Sequence, residues 1–143
     1  MIKVIFLLFL STFTLFASDI NPIKVKILEK IISNISINED IKIWSDDKNI
    51  LLSLKENNKL KTVNSCDEAS ILIINEKSSL TNSCYSKYIF VQNYNLLREI
   101  PQSFGALFWK KGRPNIVIVE PRISNQSISV TDGLKPYLEE KVW

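Results

Sequence analysis

The side chains with chemical potential in this chain are few. They include two cysteines, Cys66 and Cys84, the carboxylate pairs Asp46-Asp47, Asp67-Glu68 and Glu139-Glu140, and one run in which aromatic residues meet cations. Two thiols can bridge, exchange electrons or join a metal site. Exchange is favoured by a C-x-x-C spacing that tunes one thiol, whereas seventeen residues separate Cys66 from Cys84. The 143 residues contain no histidine, which excludes a His-ligated metal, a Ser-His-Asp or Cys-His arrangement and a histidine pH switch. With only Gly105, Gly112 and Gly133, the chain has neither a Walker loop nor a dinucleotide fingerprint. Asp46 and Asp47 stand where a helix cap is expected, Asp67-Glu68 in a loop beside a cysteine, and Glu139-Glu140 beside Lys141 on a solvated face. None has the spacing of a calcium loop or an identifiable glycosidase pair. No serine lies in G-x-S-x-G, and S-x-x-K spacings recur by chance in a chain rich in both residues. The expectation is no catalytic residue, no metal and no cofactor.

The most distinctive stretch is Phe104-Gly105-Ala106-Leu107-Phe108-Trp109-Lys110-Lys111-Gly112-Arg113-Pro114-Asn115-Ile116-Val117. Trp and Arg are enriched at interface hot spots, and clustered cations suit an acidic or anionic partner. Phe108, Trp109, Lys110, Lys111 and Arg113 are therefore the candidate partner-binding residues. The structural alternative makes the aromatics core and lets the cations solvate a turn. Strand alternation sends Phe108 and Trp109 to opposite faces, so one can be core while the other is not.

Residues 1–17 read Met-Ile-Lys, an apolar run from Val4 to Phe16, and Ala17. One cation followed by about a dozen apolar residues is the pattern of a secretory signal peptide, and it is short for a bilayer span of roughly 20 residues. Cleavage after Ala17 is expected, with retention as an anchor the alternative. The exported domain is then residues 18–143, in the periplasm. Removing Lys3 lowers the formal charge from +3 to +2, too little to argue for nucleic acid. Outside the reducing cytosol cysteines tend to pair, so a Cys66–Cys84 disulfide is expected, and a loop near this size gives roughly 3 kcal/mol in the chain-entropy model.

The elements that must position these groups follow from periodicity. Ile27, Leu28, Ile31, Ile32 and Ile35 recur at helical spacing after Asn21-Pro22, predicting an amphipathic helix ending near Asn34. Ile41–Trp44 reads as a strand. A second helix carries Ile50, Leu51 and Leu54 as far as Asn57-Asn58, and Leu60–Val63 reads as a short strand. The runs 71–74 and 88–91 are continuously apolar, as in parallel strands buried on both faces. If they are neighbours, both cysteines lie near one end of the sheet, at a separation a disulfide can span. Between them 75–87 is polar, with room for a short helix. Another short helix is expected over 94–100. Two β-rich runs, 104–109 and 115–120, flank a Gly-bearing loop and predict a hairpin. A polar connection leads to a terminal helix holding Leu134, Tyr137, Leu138 and Val142. The fold class is thus α/β, a single small domain with a mostly parallel central sheet flanked by helices, a C-terminal antiparallel hairpin and a terminal helix.

In this order of elements the chain resembles the YfiR-type periplasmic regulatory proteins over roughly residues 22–140. The resemblance rests on the opening amphipathic helix, the Ile41–Trp44 strand with its acidic turn, and the cysteine-bearing loop before Ile71–Ile74. It continues in the glycine-led Phe104-Gly105-Ala106-Leu107-Phe108 strand turned into Asn115–Val119, and in the tail through Ile123, Ile128-Ser129 and Leu134. The chain departs from the pattern where that strand exits into Glu120-Pro121-Arg122, and its two cysteines allow at most one bridge within a subunit. The resemblance implies a small α/β repressor that binds the periplasmic part of a membrane signalling protein, such as a diguanylate cyclase, and that can form a homodimer. The alternative is a single-lobe solute-binding module for a small polar or anionic ligand. Its site would lie at Ser45-Asp46, Asn75-Glu76 and Gln92-Asn93, beyond the carboxyl ends of the best strands.

Overall fold

The computed structural model describes residues 20–143; the expected signal peptide, residues 1–17, lies outside the described residues. Helix α1 (Ile20–Ser33) takes Pro22 into its first turn, where a missing N–H costs nothing. It buries Val25, Leu28, Ile31 and Ile32 and leaves Ile23, Lys26 and Lys30 outside. Helix α2 (Lys48–Asn57) has both expected ends. The Asp47 carboxylate accepts from the N–H groups of Asn49 and Ile50, and Asn58 closes the helix in the left-handed region at φ 53°.

Six strands form the main sheet: β2 (Ile43–Ser45), β3 (Ile71–Ile74), β4 (Tyr88–Val91), β5 (Ser103–Lys110), β6 (Arg113–Val119) and β8 (Leu138–Glu139), in that spatial order. The strands β2 to β5 run parallel, β6 returns antiparallel to β5, and β8 lies parallel to β6. A separate antiparallel pair joins β1 (Ile35–Ser36) to β7 (Ser129–Val130), pinning the exit of α1 to the tail.

The uninterrupted apolar character of 71–74 follows from burial on both faces. Ile71 and Ile73, with Phe90, Phe104 and Leu107, face a layer made by α1, α2, Ile123, Ile128 and Leu134. Leu72 and Ile74, with Ile89, Val91 and Ala106, face helix α3 (Tyr94–Glu99) and the turns around the cysteines. Those turns are 3-10 segments at Cys66–Glu68, Lys77–Ser79 and Asn82–Ser86, and the Cys66–Cys84 disulfide joins the first to the third with Cα atoms 5.6 Å apart. The short helix expected within 75–87 is thus two brief 3-10 turns.

Three further expectations are modified. Leu60–Val63 forms only a single parallel bridge, Thr62 beside Ile43. The expected terminal helix is a correction: a six-residue 3-10 segment, Asp132–Tyr137, carries buried Leu134, and the chain then extends as β8 against Ile118 and Val119. Pro136 inside that segment lacks the N–H an α-helix needs and crowds the preceding turn. Pro121 is likewise more than a strand terminator, since it opens α4 (Glu120–Asn125) from the first turn.

Gly105 is the tightest point of the sheet. A Cβ there would lie 2.7 Å from the Val117 carbonyl oxygen, 2.9 Å from Ile118 Cδ1 and 3.0 Å from Phe90 Cε2. Gly105→Ala is expected to destabilise the fold by about 1–3 kcal/mol in urea unfolding, because a neighbouring backbone must move. The Cys66→Ala/Cys84→Ala double variant is expected to lose roughly 3 kcal/mol by the same measurement, compared with the oxidised protein.

Candidate functional site

The hairpin β5–β6 outgrows the sheet that carries it. Strand β4 pairs with β5 only as far as Ala106, and β8 covers β6 only at Ile118 and Val119. Leu107–Lys110 and Arg113–Val117 therefore extend as a two-stranded arm with open edges. The loop is tighter than the five residues expected: Lys110 pairs with Arg113, leaving Lys111 and Gly112 as the turn. Both have positive φ, 52° and 73°, as a two-residue turn matched to strand twist requires. Cations at the tip and Pro114 on the returning strand discourage edge-to-edge pairing.

The arm has two different faces. Phe108 turns toward α3, where its ring meets Tyr94 at a centroid distance of 5.2 Å and an interplanar angle of 63°. The Arg98 guanidinium lies 5.4 Å from the Tyr94 ring, and its Nε donates to the Trp143 carbonyl at 2.7 Å. The Trp143 N–H donates to the Tyr94 hydroxyl at 2.9 Å. These residues, with Val117, Glu139 and, from the arm itself, Trp109 and Lys110, line an open groove of about 660 Å³. Trp109 turns the other way, onto the α1 layer, with Lys24 Nζ 5.7 Å from its ring centroid. At the tip, Lys110, Lys111, Arg113 and Asn115 line a cationic hollow of about 310 Å³.

Alternation thus separates the five candidate residues as expected, with Phe108 and Trp109 on opposite faces and the three cations at the tip. The other groove residues, Tyr94, Arg98, Val117 and Trp143, were not singled out by the sequence. Tyr94 and Arg98 are four residues apart, one helical face, and Val117 follows from the hairpin register opposite Ala106. Nothing local foretells Trp143.

Three of the polar residues at the strand ends, Ser45, Asp46 and Asn93, serve the fold. Ser45 Oγ donates to the Ile73 carbonyl at 2.8 Å and accepts from the Asp47 N–H at 3.1 Å. The two Asp46 oxygens accept from the N–H groups of Asn75 (2.7 Å) and Glu76 (2.9 Å). Asn93 caps α3 through the Asn95 N–H. The buried Gln92 side chain has no hydrogen-bond partner among the described residues. Two charged groups unflagged by the sequence are also structural. Arg122 donates to the carbonyls of Leu97 (2.7 Å) and Ser103 (2.9 Å), and burial lowers its pKa from the ordinary value. Buried Glu29 accepts from Asn57 at 2.7 Å. Among the described residues, no group of three or more His, Cys, Asp or Glu side chains could hold a metal ion.

No family model matches this chain. No curated protein shows significant similarity to it. Among solved structures it is similar to a conserved domain protein from Vibrio cholerae O1 biovar El Tor, with a TM-score of 0.51 and 8% sequence identity. The alignment covers 82% of this chain and 58% of that one, so the chain spans little more than half the length of that structure. At this identity the likeness is one of fold.

Asp46→Ala is expected to cost about 1–3 kcal/mol in urea unfolding, because the Asn75 and Glu76 N–H groups lose a shared charged acceptor. Arg98→Ala is expected to change stability by less than about 1 kcal/mol while altering Trp143 fluorescence, since its contacts are exposed.

Proposed function

We propose that this chain is a non-catalytic regulatory protein of the periplasm that docks on the ectodomain of a membrane signalling protein, as its YfiR-type resemblance implies. The observation that carries the reading is the groove between α3 and the hairpin arm. It places Phe108, Tyr94 and Val117 beside the cation of Arg98, where the hairpin arm projects beyond its own sheet. Aromatic anchors flanked by arginine are what protein partners dock on with most energy per residue. The Cys66–Cys84 bridge supports an oxidising compartment, where such a partner would present its outer domain. No helix of the described residues is long and apolar enough to cross a membrane, so membrane association by this domain calls for a partner or a surface. Solute capture draws less support, because Ser45, Asp46 and Asn93 direct their side chains into internal hydrogen bonds.

A photocrosslinking residue at position 117 is expected to trap one integral membrane signalling protein in cells. The purified ectodomain of that protein should then bind the unmodified domain, and Arg98→Glu should weaken binding at least about tenfold. Failure to trap any membrane protein, with a small anion raising the Tm instead, would replace this reading with solute capture.

A further inference from the structure

We propose that the hairpin tip and the start of α1 form a docking surface for anionic lipid, which meets the protein-docking groove at Trp109 and Lys110. The two segments Ile20–Ser33 and 109–115 carry six cations, of which Lys24, Lys110, Lys111 and Arg113 gather around Trp109 and the tip, while Lys26 and Lys30 line a separate hollow with Glu29 and Lys59. Their single carboxylate, Glu29, is buried, with one oxygen bonded to Asn57 and the other 3.7 Å from Lys59 Nζ. Nothing in either segment offsets the exposed positive charge.

The two segments meet. Lys24, in the first turns of α1, stands over Trp109 at the base of the tip, so the cationic hollow of Lys110, Lys111 and Arg113 adjoins the start of the helix. Ile23 beside it is an apolar side chain 54% exposed. A half-buried tryptophan, an exposed isoleucine and long cationic side chains make the composition that settles at a lipid headgroup layer. The ring and isoleucine enter the interface, while lysine stems lie along it with their ammonium groups at the phosphates. Glu139 borders the adjoining groove, which Trp109 and Lys110 also line, whereas the hollow at the tip has no acidic residue in its lining. Docked this way, the domain would hold that groove beside the membrane, where the ectodomain of an integral protein emerges.

The test is sedimentation of residues 18–143, which contain both core layers in full, with vesicles free of protein. One set contains about one-third phosphatidylglycerol, the other phosphatidylcholine alone. Binding is expected to the anionic vesicles only, weakening steeply with salt. Each cation near the surface is worth about fivefold in affinity, so Lys110→Glu/Lys111→Glu/Arg113→Glu should lose about a hundredfold or more. These side chains are exposed, and the variant should keep the native Tm. A control reversal at Lys42, Lys61 and Lys87, which line a separate groove at the opposite ends of the strands, should cost far less. Equal binding to both vesicles, no binding to the anionic set at low salt, or equal loss in the two triple variants overturns the proposal. Crosslinks from position 111 to a protein in the absence of vesicle binding would assign this face to a protein partner instead. The vesicles contain no ectodomain, so the result is independent of the groove's role.

Discussion

Everything in this fold depends on covering both faces of a short parallel sheet. Strands β3 and β4 have four residues each, and every side chain of β3 is fully buried. A fully buried isoleucine or leucine is worth about 1.5–3 kcal/mol over its exposed state, so uncovering either face would remove much of the net stability of a domain this size. One face is covered conventionally, by the ridges of α1 and α2. The other has only α3, of six residues, and cannot be closed by helix packing alone.

The disulfide completes that second layer. The turns at Lys77–Ser79 and Asn82–Ser86 bury little of their own, chiefly Leu80 and Cys84. Segments so short and polar have no burial to hold them against the sheet. Joining Cys84 to Cys66 fixes the loop before β4 against the loop before β3, so both sulfur atoms and Ala69 become part of the wall over Leu72 and Ile89. The cross-link therefore takes the place of a missing helix. This ties the fold to an environment in which the bridge can persist.

The elements legible in the sequence were those decided by neighbours within a few residues. The apolar runs 71–74 and 88–91, the Asp47 cap and the Asn58 stop each follow from local pattern, and the structure has all of them. The hairpin was legible as well, though its loop closed further than expected because Lys111 accepts a positive φ beside Gly112. The terminal helix failed for a reason present in the sequence, Pro136, outweighed by the spacing of Leu134, Tyr137 and Leu138. The β1–β7 pair was beyond local reading, since residues 35 and 130 meet only after the rest of the chain is folded. The same holds for the groove. Phe108 was visible as half of a contact surface, whereas its partners Tyr94, Arg98 and Trp143 come from segments whose approach is set by the sheet.

Coverage of the sheet also explains why the proposed docking surfaces fall on the hairpin. Parallel strands sealed on both faces offer a ligand only their ends, and there Ser45, Asp46 and Asn93 are already bonded to the backbone. The β5–β6 arm is freed from that constraint, because it runs past β4 on one side and β8 on the other. Its pleat then presents two chemically distinct faces from adjacent residues, Phe108 to the α3 groove and Trp109 to α1. A strand in the sheet interior would have both residues buried. Extending past its neighbours is what turns the same alternation into two chemically distinct, partly exposed faces.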